Sequence, residues 1–93
     1  MSYRLEFHPD ALAEWRKLDA TVSVQFKKKL AERLQSPRMP AAKLSGYTDR
    51  YKIKLRSVGY RLVYEVRDAV LVVLVVAVGK RERNAVYRVA EKR

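Results

Sequence analysis

Arg50-Tyr51-Lys52-Ile53-Lys54-Leu55-Arg56 is answered after a short turn by Tyr60-Arg61-Leu62-Val63-Tyr64, and the rest of the chain is arranged around this pair. Cations and apolar residues alternate in it with a period of two. Successive side chains of a strand point to opposite faces, so the segment reads as a strand with two unlike sides. Tyr51, Ile53 and Leu55 belong to a core. Lys52, Lys54 and Arg56 stand together on the other side, and no acidic residue between Arg50 and Arg61 neutralises them. A row of cations of this kind calls for an anionic partner.

Tyr47–Leu55, Tyr60–Arg67 and Val70–Val78 read as consecutive strands joined by Arg56-Ser57-Val58-Gly59 and Arg67-Asp68-Ala69. Links this short favour an antiparallel meander. The run Ala69–Val78 is wholly apolar but falls short of the roughly 20 residues that a membrane-spanning helix needs. Rich in valine, it reads as a central strand covered on both faces. Gly79 ends it, and Lys80–Val89 reads as a short terminal helix with a basic start.

Toward the N-terminus, Tyr3-Arg4-Leu5-Glu6-Phe7 alternates as a half-buried strand should, with Tyr3, Leu5 and Phe7 inward. Pro9 suits the first position of a helix and Asp10 its positive end, giving a helix from about Pro9 to Leu18 with Leu12, Trp15 and Leu18 as its stripe. Asp19 or Thr21 can cap a second helix, along which Val22, Phe26, Leu30 and Leu34 recur every four residues. Ser36-Pro37-Arg38-Met39-Pro40 stops it, and a loop runs to about Gly46. The two helices should form an antiparallel hairpin laid on the sheet. The expected fold is therefore α+β in the order β-α-α-β-β-β-α: one domain over residues 1–93, with a small mainly antiparallel sheet, an N-terminal helical hairpin and a short C-terminal helix.

Composition narrows the function. The chain carries 21 Lys and Arg against 10 Asp and Glu, a formal charge of +11 over 93 residues. Nucleic acid is the leading partner class, ahead of an anionic membrane surface or an acidic protein. The absence of cysteine excludes a disulfide framework and a thiolate site, and a cytoplasmic location fits best. The opening residues Met1–Phe7 lack the apolar run of a secretory leader. One histidine and scattered acids make neither a zinc site nor a carboxylate cluster, so neither metal nor other cofactor is expected. His8, just before Pro9, reads as a capping or surface residue. Gly46, Gly59 and Gly79 are isolated at turns and build no phosphate loop.

A constellation of cations and tyrosines remains. If the second and third strands pair, Arg61 faces the same side as Lys52, Lys54 and Arg56, and Glu65 is the one acid there. If the terminal helix packs beside this sheet, Arg81, Arg83 and Tyr87 overhang the same surface. Such a set suits phosphodiester chemistry on RNA: arginine bridges phosphate oxygens bidentately, and a lysine crowded by like charge has a lowered pKa and moves protons more readily. Cleavage by the 2′-hydroxyl needs a base, an acid for the leaving 5′-oxygen and cations for the charge on phosphorus, while a tyrosine can stack on a base. The plainer readings are a solvated sheet face or simple nucleic-acid adhesion. Tyr47, Tyr51, Tyr60 and Tyr64 then serve as core or rim residues, Trp15 as a helix anchor, and Lys27, Lys28 and Lys29 as a solvated helix face.

The chain resembles toxins of the RelE family from toxin-antitoxin pairs. The resemblance spans Glu14-Trp15-Arg16-Lys17-Leu18, Phe26-Lys27-Lys28-Lys29-Leu30, Ser36-Pro37-Arg38, Tyr51 to Ser57, Gly59 to Tyr64, and Val78-Gly79-Lys80-Arg81-Glu82-Arg83 followed by Tyr87. It implies a compact sheet carrying two N-terminal helices, and a ribosome-dependent endoribonuclease that cuts mRNA in the A site without a metal. By similarity Lys52 is the general base and Lys54 the general acid, Arg61 and Arg81 stabilise the phosphorane, and Tyr87 positions or stacks the nucleotide. Lys27, Lys28, Lys29 and Arg33 would by analogy face ribosomal RNA, with Arg50, Arg56 and Arg83 as further nucleic-acid contacts. The implied partners are the 70S ribosome with its mRNA and rRNA, and an acidic RelB-like antitoxin through which the complex reaches operator DNA; no membrane is involved. The sequence departs from the family at Ser45, where relatives carry arginine. Two alternatives stay open: a ParE-like gyrase poison, and a non-enzymatic basic nucleic-acid-binding module.

Overall fold

Residues 2–93 are described by the computed structural model, in the order β1 (Arg4–Phe7), α1 (Pro9–Arg16), α2 (Ala20–Gln35), β2 (Arg50–Leu55), β3 (Tyr60–Arg67), β4 (Val72–Lys80) and α3 (Ala85–Glu91). Met1, the first residue of the stretch read for a leader, lies outside the described residues. The sheet runs β1-β4-β3-β2, with β1 parallel to β4 and the other pairs antiparallel. This is the expected α+β arrangement, and the valine-rich β4 is central as its composition suggests.

Alternation divides the core in two. Tyr51, Ile53 and Leu55 of β2 and Leu62, Tyr64 and Val66 of β3 pack under Ala11 of α1 and Val22, Phe26 and Leu30 of α2. The opposite face of the sheet presents Val63, Val76 and Ala77, which pack against Val86 and Ala90 of α3 and against Leu44. Helices thus cover both faces: the hairpin on one, the terminal helix on the other. Trp15 joins Phe7 and Phe26, with ring centroids at 5.3 and 6.1 Å, so one aromatic series ties β1, α1 and α2 together. Asp19 caps α2 by accepting from the Val22 amide at 3.0 Å.

Several boundaries differ from the sequence reading, for reasons visible in the backbone. β2 begins at Arg50 rather than Tyr47, because Gly46 turns the chain with a φ of 86° and the Leu44 amide then bonds back to the Arg50 carbonyl. β4 begins at Val72 rather than Val70, since a 3-10 turn over Asp68–Val70 closes through a left-handed Leu71. α1 ends at Arg16, and Ala11 rather than Leu12 is its fully buried residue. The terminal helix starts at Ala85, not Lys80, because Tyr60 and Arg61 pair with Lys80 and Gly79 and hold them in β4. Gly79 is where α3 settles on the sheet: a Cβ there would lie 3.1 Å from Val86 Cγ2.

β1 pairs with β4 only through Val72–Val75. Beyond that point side chains take over the edge. Glu14 accepts from the Val78 amide at 3.0 Å, and Arg93 donates to the Val76 carbonyl at 2.9 Å while gripping Glu14. Among the described residues, no helix is long and apolar enough to cross a membrane.

Candidate functional site

The register of β2 on β3 builds the site. Tyr51 lies opposite Tyr64, their rings stacked with centroids 5.6 Å apart on the core side, and this pair fixes the alignment. A slip by one residue would turn every cation of β2 into the core. In this register Lys54 is directly opposite Arg61, and Arg61 is opposite Gly79, two residues before Arg81. The Arg81 amide donates to the Gly59 carbonyl at 2.6 Å, which pins the end of β4 to the turn between β2 and β3.

Lys54 is the electrostatic centre of this group. The charge of Lys52, then slight desolvation, then Arg61, Arg56 and Arg81 hold its ammonium below the ordinary lysine value. A lysine so placed gives up its proton more readily than a free one. Arg61 donates to the Tyr87 hydroxyl at 3.2 Å, with its guanidinium carbon 5.9 Å from the ring centroid. Its Nε is buried and has no hydrogen-bond partner among the described residues. Buried donors left over in this way are uncommon, and this one suits an anion.

Two clefts flank the lysines. One of about 450 Å³, between the loop after α2 and the terminal helix, is lined by Ser45, Lys52, Arg83, Asn84, Tyr87 and Arg88 among others. The other, of about 340 Å³, has Arg33, Met39, Ala42, Lys52, Lys54 and Arg56 in its walls. Lys52 borders both. Ser45 puts a short neutral side chain in the wall of the first cleft.

The structure brings together Lys52, Lys54, Arg56, Arg61, Arg81 and Tyr87, with Arg83 in the adjoining cleft wall. It does not bring Arg50, which the sequence reading gave as a further nucleic-acid contact. That side chain is only 11% exposed, donates to Glu65 at 3.1 Å and to the Ala90 carbonyl at 2.6 Å, and lies 5.0 Å from the Tyr47 ring centroid. Its donors already serve the fold. Arg33 likewise differs from its helix neighbours: it donates to the Lys52 carbonyl at 3.2 Å and to the Tyr64 hydroxyl at 2.8 Å, bracing the strand that carries the lysines while bordering their cleft. Lys27, Lys28 and Lys29 are exposed on α2, which packs on the other face of the sheet, and so stand apart from the Lys54 group.

His8 caps α1 through Nδ1, which accepts from the Asp10 amide at 3.1 Å, as its position before Pro9 suggested. Asn84 and Arg88 were missed as cleft residues, since the helix start was placed too early. The Glu14–Arg93 contact carried no signal in the sequence, its partners being 79 residues apart. Among the described residues, no three His, Cys, Asp or Glu side chains gather as metal ligands would.

Comparison with known proteins agrees with this arrangement. Residues 5–85 match a family model described as ParE toxin of type II toxin-antitoxin system, parDE. The chain is 61% identical over 93 residues to mRNA interferase toxin RelE of Escherichia coli strain K12, covering all of this chain and 98% of the relative. A mutant of E. coli toxin RelE in the free state superposes with a TM-score of 0.91 at 59% identity, over 99% of this chain and 97% of that one. In the intact E. coli RelBE toxin-antitoxin complex, a chain 61% identical superposes with a TM-score of 0.84, over 88% of this chain and all of that one. With the fold, its cationic face and full-length identity in agreement, the chain belongs to the RelE toxin family, within the ParE/RelE superfamily of type II toxin-antitoxin systems.

Proposed function

We propose that this protein is an mRNA interferase that cuts messages in the A site of the 70S ribosome and so stops translation. The observation that carries the reading is the meeting of Lys54 and Arg61 across one strand pair, with Lys52 and Arg81 near enough to depress the Lys54 pKa and Tyr87 bonded to Arg61. In the proposed reaction the 2′-hydroxyl attacks the adjacent phosphorus and Lys52 takes its proton. Arg61 and Arg81 hold the charge that builds on the phosphoryl oxygens, and the 5′-oxygen leaves with the proton of Lys54. The products are a 2′,3′-cyclic phosphate and a 5′-hydroxyl. Tyr87 orients or stacks the nucleotide. Lys27, Lys28 and Lys29 meet ribosomal RNA away from the cut, with Arg56 and Arg83 as closer phosphate contacts.

Its partner when silent is an acidic RelB-like antitoxin, in keeping with the relative crystallised as a RelBE complex; operator DNA is reached through that complex. A cytoplasmic location follows from a ribosomal target. Primer extension on a translated message tests the reading: wild type gives cuts within codons, and Lys52→Ala or Arg81→Ala reduces them by about 10²-fold or more while ribosome binding persists. Equal cleavage by all three would reject it. One observation favours a second reading, gyrase poisoning, namely the ParE description of the matching family model. An unchanged supercoiling assay would discard that alternative.

A further inference from the structure

The terminal helix carries Tyr87, yet little in its own sequence holds it. α3 has seven residues, and its N-cap, Asn84, is left-handed and makes no side-chain capping bond. A helix that short is not stable alone in water, so its placement depends on what grips it from outside. Val86 and Ala90 supply apolar packing. Polar holds come from Arg61 on the Tyr87 hydroxyl and, at the other end, from Arg50, which donates to the Ala90 carbonyl at 2.6 Å. A cation at this end of a helix also complements its dipole.

Arg50 is itself held in place. Glu65 accepts from its Nε at 3.1 Å, Tyr47 lies beneath it, and the side chain is 11% exposed. Arg50 shares its strand face with Lys52 and Lys54, and Glu65 shares its face with Arg61. Ala90 follows Tyr87 by about one helical turn, so fixing one fixes the other through a rigid segment. Arg93 anchors the same end of the chain to Glu14 and to the Val76 carbonyl, a hold that survives loss of Arg50.

We propose that Arg50, backed by Glu65, is a positioning residue: it clamps the last turn of α3 to the two cation-bearing strands and thereby sets Tyr87 against Arg61. This assignment replaces a direct RNA contact for Arg50, and it rests on the reading of Tyr87 as part of the cleavage site. Two measurements on Arg50→Met and Arg50→Lys test it. Amide hydrogen exchange should quicken about tenfold or more in α3 of Arg50→Met, the effect of losing a charge-assisted bond, and stay unchanged in β3 and β4. Arg50→Lys should recover part of the protection. In single-turnover cleavage on ribosomes, Arg50→Met should lower the rate at saturation about tenfold with little change in half-saturation, and add less than twofold in a Tyr87→Ala background. Unchanged exchange in α3, or losses that multiply in the double variant, overturns the clamp. Loss of protection with full cleavage overturns its positioning role. A wild type that leaves messages intact instead sinks the nuclease reading, while the exchange data still report on the clamp.

Discussion

Tyr64→Phe removes one oxygen from a fully buried side chain, and its cost can be worked out from the neighbours of that oxygen. The hydroxyl donates to the Pro37 carbonyl at 2.7 Å and accepts from Arg33 at 2.8 Å. After the change the Pro37 carbonyl stays in a buried setting without its partner, a penalty of about 1–3 kcal/mol. Arg33 loses less, because it is half-buried and keeps its bond to the Lys52 carbonyl. The net loss is about 2 kcal/mol. For a 93-residue chain this corresponds to a Tm lower by about 10 °C. Urea titration should show a lower midpoint with the same slope. The effect also has a pH signature. Burial holds the Tyr64 hydroxyl above its ordinary pKa of 10.0. With the folded value above the unfolded one, the contribution of Tyr64 is intact below pH 10 and drains away as pH rises through the folded value; phenylalanine has nothing to lose. The gap between wild type and variant should therefore narrow above about pH 10. An unchanged midpoint, or a gap that stays constant into strong alkali, would refute the account.

Further expectations concern the charged groups. Burial alone would raise the pKa of Glu65, but bonds from Arg67 and Arg50 outweigh it and leave the value below the usual 4.5. Its contribution is present above pH 4.5 and lost as pH falls through the depressed value, so Glu65→Gln should flatten the acid limb of stability measured by urea titration. Arg56→Gln removes one of the like charges on Lys54, and the alkaline limb of the cleavage profile, where Lys54 loses its proton, should move to higher pH. Ser45→Arg adds a cation to the larger cleft, and the slope of log affinity for single-stranded RNA against log salt should steepen by about one phosphate's worth.

The period-two alternation of Arg50 to Arg56 and Tyr60 to Tyr64 made much of this molecule legible, because on a half-buried strand face hydrophobicity and geometry report the same thing. The pairing of β2, β3 and β4, the meeting of Arg61 with the lysines and the cap at His8 all follow from local pattern. Arg50 shows where local pattern stops. Its place in the row is as regular as that of Lys52, and only the approach of Glu65 and a carbonyl 40 residues away turns it inward. The parallel pairing of β1 with β4 and the late start of α3 were hidden for the same reason: both depend on contacts made after the chain has collapsed.

The side chains of Glu14 and Arg93 stand in for a missing fifth rung beside β4, occupying backbone groups that would otherwise be adhesive. Because Arg93 sits at the tail of the terminal helix, peeling that helix away would carry the stopper with it. Glu14, carried on α1, would still cover the Val78 amide, so opening would bare the Val76 carbonyl alone and leave half of the protection this edge now has.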